Sequence, residues 1–80
     1  MYKNPLEYTK EDIGEIMNIP IVLEIGNYNS DIIEETIEGV IVNCTLAGNN
    51  PHLPASIKVE TTSGRIRNFS LFEVKRLRTP

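Results

Sequence analysis

Eighty residues, 40% of them apolar and 24% charged, describe a chain with material for one small core and too much apolar content for wholesale disorder. Its single cysteine, Cys44, excludes an intrachain disulfide and a cysteine-cluster zinc site, and no run approaches the roughly 20 apolar residues that cross a bilayer. Net charge is −3, but unevenly laid out: residues 1–40 hold two lysines against nine carboxylates, and residues 41–80 hold six cations against two.

The opening MYKNPLEY has no apolar h-region, and a small chain without disulfides fits a reducing cytoplasm. Thr9-Lys10-Glu11-Asp12 has the form of a capping box, in which a hydroxyl and a carboxylate satisfy free N–H groups at a helix start. Ile13, Ile16 and Met17 follow at i, i+3 and i+4. The spacing predicts a helix over 9–18, ended by Pro20, whose apolar stripe lies on a sheet.

Strand signals occupy the rest. In Ile21-Val22-Leu23-Glu24-Ile25 the odd positions share a face with Glu24 opposite, and residues 26–30 are rich in turn formers. Residues 31–36 read equally as one helical turn or a polar approach to a strand. Ile37 to Leu46 reads as a strand with Val40, Val42, Cys44 and Leu46 on one face and a bend near Gly39. Residues 47–55, with Pro51 and Pro54, read as a loop. Ile57 to Thr61 alternates strictly, and Thr62-Ser63-Gly64 makes a tight turn into a return strand over 65–71. Ile66 and Phe69 share a face there only if a bulge separates them. Phe72-Glu73 is a brief turn before a last short strand through Val74 and Leu77.

One helix and about five short strands predict a mainly β domain over 1–80: a small, strongly bent five-stranded antiparallel barrel over about 20–78 behind the helix. The opening TKEDIGEIMNIPIVLEI, the bent strand TIEGVIVNC and the closing block SIKVETTSGRIRNFSLFEVKRL resemble the Sm-like and Src-homology-type small barrels. Among Sm-like proteins the layout is similar to the Rof family, small acidic proteins that bind and restrain the Rho termination factor. A hairpin of the form x-Gly-x-x-Arg-x-Leu-x-Leu precedes the final strand in that family, and Gly64-Arg65-Ile66-Arg67-Asn68-Phe69-Ser70-Leu71 takes that place here. The resemblance implies a protein that works by docking on, and occluding, a nucleic-acid-binding partner.

Catalytic material is sparse. His52 is the sole histidine and sits between two prolines, and Cys44 lies on an apolar face with no adjacent base to make it a thiolate. Carboxylates lack the Asp-x-Asp-x-Asp-Gly spacing of a calcium loop, and the five glycines are too scattered for a phosphate loop. No enzyme, cofactor or metal is expected.

Two charged surfaces remain. The acidic one, Glu11, Glu15, Glu34, Glu35 and Glu38 with Tyr8 and Tyr28 as aromatic anchors, suits a basic surface on a partner protein. The basic one, Lys58, Arg65, Arg67, Lys75, Arg76 and Arg78, suits a nucleic acid or an anionic nucleotide, and Arg65 and Arg67 share a strand parity. Arginines that pair with the acidic half instead would remove that second surface. The first reading makes the chain a cytoplasmic regulator that binds protein, the second a nucleic-acid-binding barrel, and a third a phage-type inhibitor or ligand-sequestering protein. The Val74–Leu77 edge also offers a route to a homo-oligomer by strand pairing.

Overall fold

The structure, a computed structural model, describes residues 5–80; residues 1–4, the start of the stretch read as leaderless, lie outside it. A 3-10 turn at Pro5–Glu7 precedes helix α1, Lys10–Ile16. Five strands follow: β1 Ile21–Ile25, β2 Glu35–Ala47, β3 Asn50–Thr61, β4 Ile66–Ser70 and β5 Val74–Arg78. They form one antiparallel sheet in the order β4-β3-β2-β1-β5. The mainly β class with one short helix is as expected. Among the described residues no ladder joins the two edges, β4 and β5, so the sheet is not closed into a hydrogen-bonded ring.

The capping box forms as the sequence indicates. Asp12 N–H donates to Thr9 Oγ1 at 3.2 Å, and Thr9 N–H donates to the Asp12 carboxylate at 3.0 Å. Ile13 is fully buried, with Ile16 and Met17 packed beside it on the core. The helix stops earlier than expected, and Pro20 is not the cause. Asn18 adopts φ 62, a left-handed conformation that asparagine tolerates, and its N–H donates to the Ile41 carbonyl at 3.0 Å.

That carbonyl belongs to a break in the β2–β3 ladder. Ile41 faces Val59, but the next pair is Asn43 with Lys58, so Val42 is an extra residue in β2. The parity of β2 therefore switches. Ile37, Gly39 and Ile41 face the core before the bulge, and Cys44 packs against it afterwards. The single face expected for Val40, Val42, Cys44 and Leu46 does not exist, because a period of two cannot cross an inserted residue.

Two further corrections concern β3 and β4. Strand β3 begins at Asn50, within the segment read as a loop, leaving only Gly48 and Asn49 to turn the chain. Leu46 pairs with Pro54 and Ala47 with Asn50, so three residues, 51–53, stand out of the ladder, where proline is tolerated. Strand β4 needs no bulge: Ile66 to Ser70 pairs regularly with Glu60 to Ser56. Phe69 turns inward and Ile66 is simply exposed. Gly64 closes the β3–β4 turn at φ 87, as expected.

The core is assembled from Ile13 of α1 and from all five strands: Ile21, Leu23 and Ile25 of β1, Ile37 and Ile41 of β2, Ile57 and Val59 of β3, Phe69 of β4, and Val74 and Leu77 of β5, the last two set three apart by the β1–β5 register shift. Tyr8 and Leu71 complete it. Tyr8 is 3% exposed, so it is a core residue and cannot serve as the surface anchor expected from sequence.

Candidate functional site: an aromatic face between two turns

The charged residues singled out by sequence do not form two opposed faces. Three of the six basic residues are held by carboxylates. Arg67 Nη1 meets Glu35 Oε2 at 2.6 Å, while Arg76 Nη2 and Arg78 Nε both reach Glu24 Oε2 at 2.9 Å. The register explains the second cluster: Glu24 faces Arg76 across the β1–β5 ladder, and Arg78 lies one same-face position away, opposite Val22. The hydrogen bond from Arg78, then that from Arg76, holds the Glu24 carboxyl below its ordinary range. Arg67 does the same to Glu35. Lys75 Nζ donates to the Tyr28 carbonyl at 3.4 Å, which leaves Lys58 and Arg65 exposed and without an ion pair among the described residues.

The acidic set is likewise dispersed. Glu35 is tied to Arg67, Glu38 lines a concavity with Gly39, Glu60 and Thr61, and Glu34 lines a separate crevice. Glu11 and Glu15 are exposed on α1. Glu35 and Glu38 line one concavity together with Arg65 and Arg67, whereas Glu34 precedes the strand and lines a separate crevice.

What the fold does bring together is a pair of exposed aromatic rings. Tyr28 is 58% and Phe72 is 56% exposed, and their rings meet edge to face with centroids 5.2 Å apart and planes at 86°. Each ring sits on a turn built by its own short-range polar groups. In the β1–β2 connection, Asn29 N–H donates to Asn27 Oδ1 at 2.9 Å, Ser30 N–H donates to the Asn27 carbonyl at 3.1 Å, and Ile32 N–H donates to Ser30 Oγ at 3.1 Å. These bonds hold Tyr28 at the tip of a turn. In the β4–β5 connection, Phe72 N–H donates to Ser70 Oγ at 3.2 Å and Glu73 N–H to the Ser70 carbonyl at 2.9 Å. With Leu71 buried, the next side chain in that turn points outward.

The two turns are braced to each other. Gly26 N–H donates to the Glu73 carbonyl at 2.9 Å, and Glu34 N–H donates to the Ile25 carbonyl at 2.8 Å, fixing both ends of the Tyr28 connection. Between them lies a crevice of about 370 Å³ lined by Tyr28, Phe72, Glu34, Glu73 and residues 25–27. Phe72 is also a wall of an adjoining groove of about 510 Å³, whose other walls include Leu6, Leu53, Pro54 and Leu71. Leu6 is 44% and Leu53 is 41% exposed. Phe72 is thus shared by the two concavities, and the acidic residues Glu34 and Glu73 line the crevice but not the groove.

Tyr28 and Glu34 are the residues of this site that the sequence singled out. Phe72, Glu73, Leu6 and Leu53 were missed. The available signal was Phe72 itself, a large ring in a four-residue turn that a following strand start leaves no room to bury. Cys44 lies where expected, half-buried against the core, and His52 is exposed on the projecting part of β3. Among the described residues no three His, Cys, Asp or Glu side chains converge to hold a metal ion, and no helix is long and apolar enough to cross a membrane. The chain matches no protein-family model, no curated protein and no solved structure.

Proposed function

We propose that this chain is a non-enzymatic binding module that docks on a partner protein through the Tyr28–Phe72 face. The observation that carries the reading is the braced pair of exposed rings at the junction of two concavities. Large amphipathic rings held rigid before binding lose little entropy when they anchor an interface, and they are common where interface energy concentrates. Glu34 and Glu73 supply a negative rim, which favours a partner with a basic surface and speeds its encounter. Such a partner surface is one that also holds nucleic acid, so the module acts by occluding it.

This reading keeps Tyr28 and Glu34 from the sequence-based acidic face and moves the centre away from Glu35, Glu38 and α1. It also keeps the expected architecture as a proposal: a sheet curled toward the small barrel of the Sm-like and Src-homology types, in a protein of the cytoplasm. The register shifts in β2–β3 and β1–β5 support that curvature, because each bulge increases local twist. The nucleic-acid alternative is weakened because Arg67 is paired with Glu35, and Arg76 and Arg78 share the Glu24 carboxylate, which offsets two of their three positive charges.

The test is direct binding of the partner to wild type and to a Tyr28→Ala/Phe72→Ala double variant, the partner being isolated from the source cell after nuclease treatment. The reading expects retention by wild type after nuclease and a loss of affinity of about a hundredfold or more in the variant, the scale of two truncated interface anchors. Unchanged affinity in a folded double variant rejects it.

A further inference from the structure

The crevice beside the rings contains half of an arrangement that this chain completes elsewhere. On β4 the Arg67 guanidinium carbon lies 5.0 Å from the centroid of the Phe69 ring while its Nη1 bonds the Glu35 carboxylate at 2.6 Å. One planar cation there satisfies a π face and a carboxylate together. The crevice is lined by residues of the same two kinds, the aromatic pair Tyr28 and Phe72 and the acidic Glu34 and Glu73, and no arginine or lysine lines it among the described residues. Among the described residues Glu34 and Glu73 enter no ion pair, whereas Glu24 and Glu35 each hold arginine. Lys75 sends its ammonium to the Tyr28 carbonyl and forms no ion pair with either carboxylate among the described residues.

We infer that this crevice is the receptor for an arginine side chain projecting from the partner protein, an inference that rests on the docking role proposed for this face. Three properties select arginine. Its flat guanidinium stacks on an aromatic face, where the ring quadrupole attracts positive charge. Its fork of N–H groups bonds a carboxylate in bidentate fashion, which a single ammonium cannot do. It is also the more weakly hydrated cation and loses less on leaving water. At about 370 Å³ and open to solvent, the crevice has room for the head group and much of its stem. The apolar groove on the far side of Phe72 then takes neighbouring apolar side chains of the same partner segment.

The experiment follows backbone amide NMR shifts of the full chain on addition of three probes at fixed ionic strength: N-acetyl-arginine methylamide, its lysine counterpart, and the neutral isostere N-acetyl-citrulline methylamide. The arginine probe is expected to shift residues 26–29, 72 and 73 with a saturating millimolar curve. The lysine probe binds several-fold more weakly, and the citrulline probe leaves these amides unmoved. In a Glu34→Gln/Glu73→Gln variant, whose spectrum shows it folded, arginine affinity falls by about tenfold, the scale of losing a charge-assisted hydrogen bond. Equal responses to lysine or citrulline, shifts centred elsewhere, or arginine binding untouched in the double Gln variant each overturn the inference. Failure of the docking role is separable. A partner whose affinity depends on Tyr28 and Phe72 but not on Glu34 or Glu73 overturns the arginine receptor alone. A partner indifferent to both rings removes the docking face, whatever the probes do.

Discussion

Arg67 and Glu35 meet at 2.6 Å although β3 lies between their strands. Both occupy the core-facing parity: Glu35 pairs with Ile25 and Arg67 with Val59, and each of those partners is buried. The pair therefore spans one end of the apolar interior, with the Arg67 guanidinium also over Phe69. It removes a guanidinium from the candidate nucleic-acid surface and a carboxylate from the candidate acidic one.

That pairing sets a titration prediction. Hydrogen bonding to Arg67 favours the charged form of Glu35, so its carboxyl titrates below the ordinary 4.5. Carbon-13 NMR of the side-chain carboxyls should show Glu35 and Glu24 titrating below that value. Arg67→Ala should return Glu35 toward the ordinary value and leave Glu24 where it is.

The Glu24 cluster fixes a pH dependence of stability. A carboxyl whose folded pKa is depressed binds protons more readily when unfolded, so its contribution is complete above the ordinary value of 4.5 and fades as pH falls through the folded value. Urea unfolding midpoints should therefore fall on acidification below about pH 4.5. Glu24→Gln should lower the midpoint at neutral pH and flatten that acid slope, because the glutamine has no proton to take up.

Two glycines with opposite outcomes test the packing. A Cβ at Gly39 would press into the Glu60 carbonyl oxygen and lie 2.9 Å from Thr61 Cα, both backbone atoms that cannot step aside cheaply. Gly39→Ala should destabilise by about 1–3 kcal/mol, the usual scale for overpacking. Gly14, within α1, has nothing within 4 Å of such a Cβ. Gly14→Ala should stabilise by about 0.5–1 kcal/mol through helix propensity alone. Thermal and urea unfolding of both variants checks the pair.

Local chemistry was legible in the sequence where neighbours in the chain decide it. The Thr9–Asp12 capping box, the alternation of β1 and the Gly64 turn all formed as read. What failed depended on residues far apart. The Val42 bulge is set by how β2 must bend over β3, and it reverses a face that periodicity assigned. Strand β3 runs through Pro51 because its irregular start leaves residues 51–53 outside the ladder, and Pro54 follows at the register shift where it pairs with Leu46. Tyr8 gave no local sign of burial, since the strands that cover it come later. The Glu24–Arg76 pair needs β1 beside β5, a relationship spanning 52 residues. The site was half legible for the same reason: Tyr28 stood out as a ring in a turn, but its contact with Phe72 is made only when the two connections are braced.

The ion pairs also predict weak nucleic-acid binding. With Arg67 paired to Glu35 and Arg76 and Arg78 sharing Glu24, Lys58, Arg65, Lys75 and one net charge of the Glu24 cluster are left to meet phosphates. Binding to a random oligonucleotide should be weak, with log K falling against log salt with a slope no steeper than about −3.5. A slope near −5 would restore the basic surface as the functional one.

The most direct measurement of the central claim is calorimetric titration of the nuclease-treated partner into wild type and into Tyr28→Ala/Phe72→Ala, with unfolding curves run in parallel. Both rings are more than half exposed, so the double variant should keep nearly all of its stability while its affinity falls by about a hundredfold or more. A variant that is equally folded and binds its partner as tightly as wild type would contradict the account.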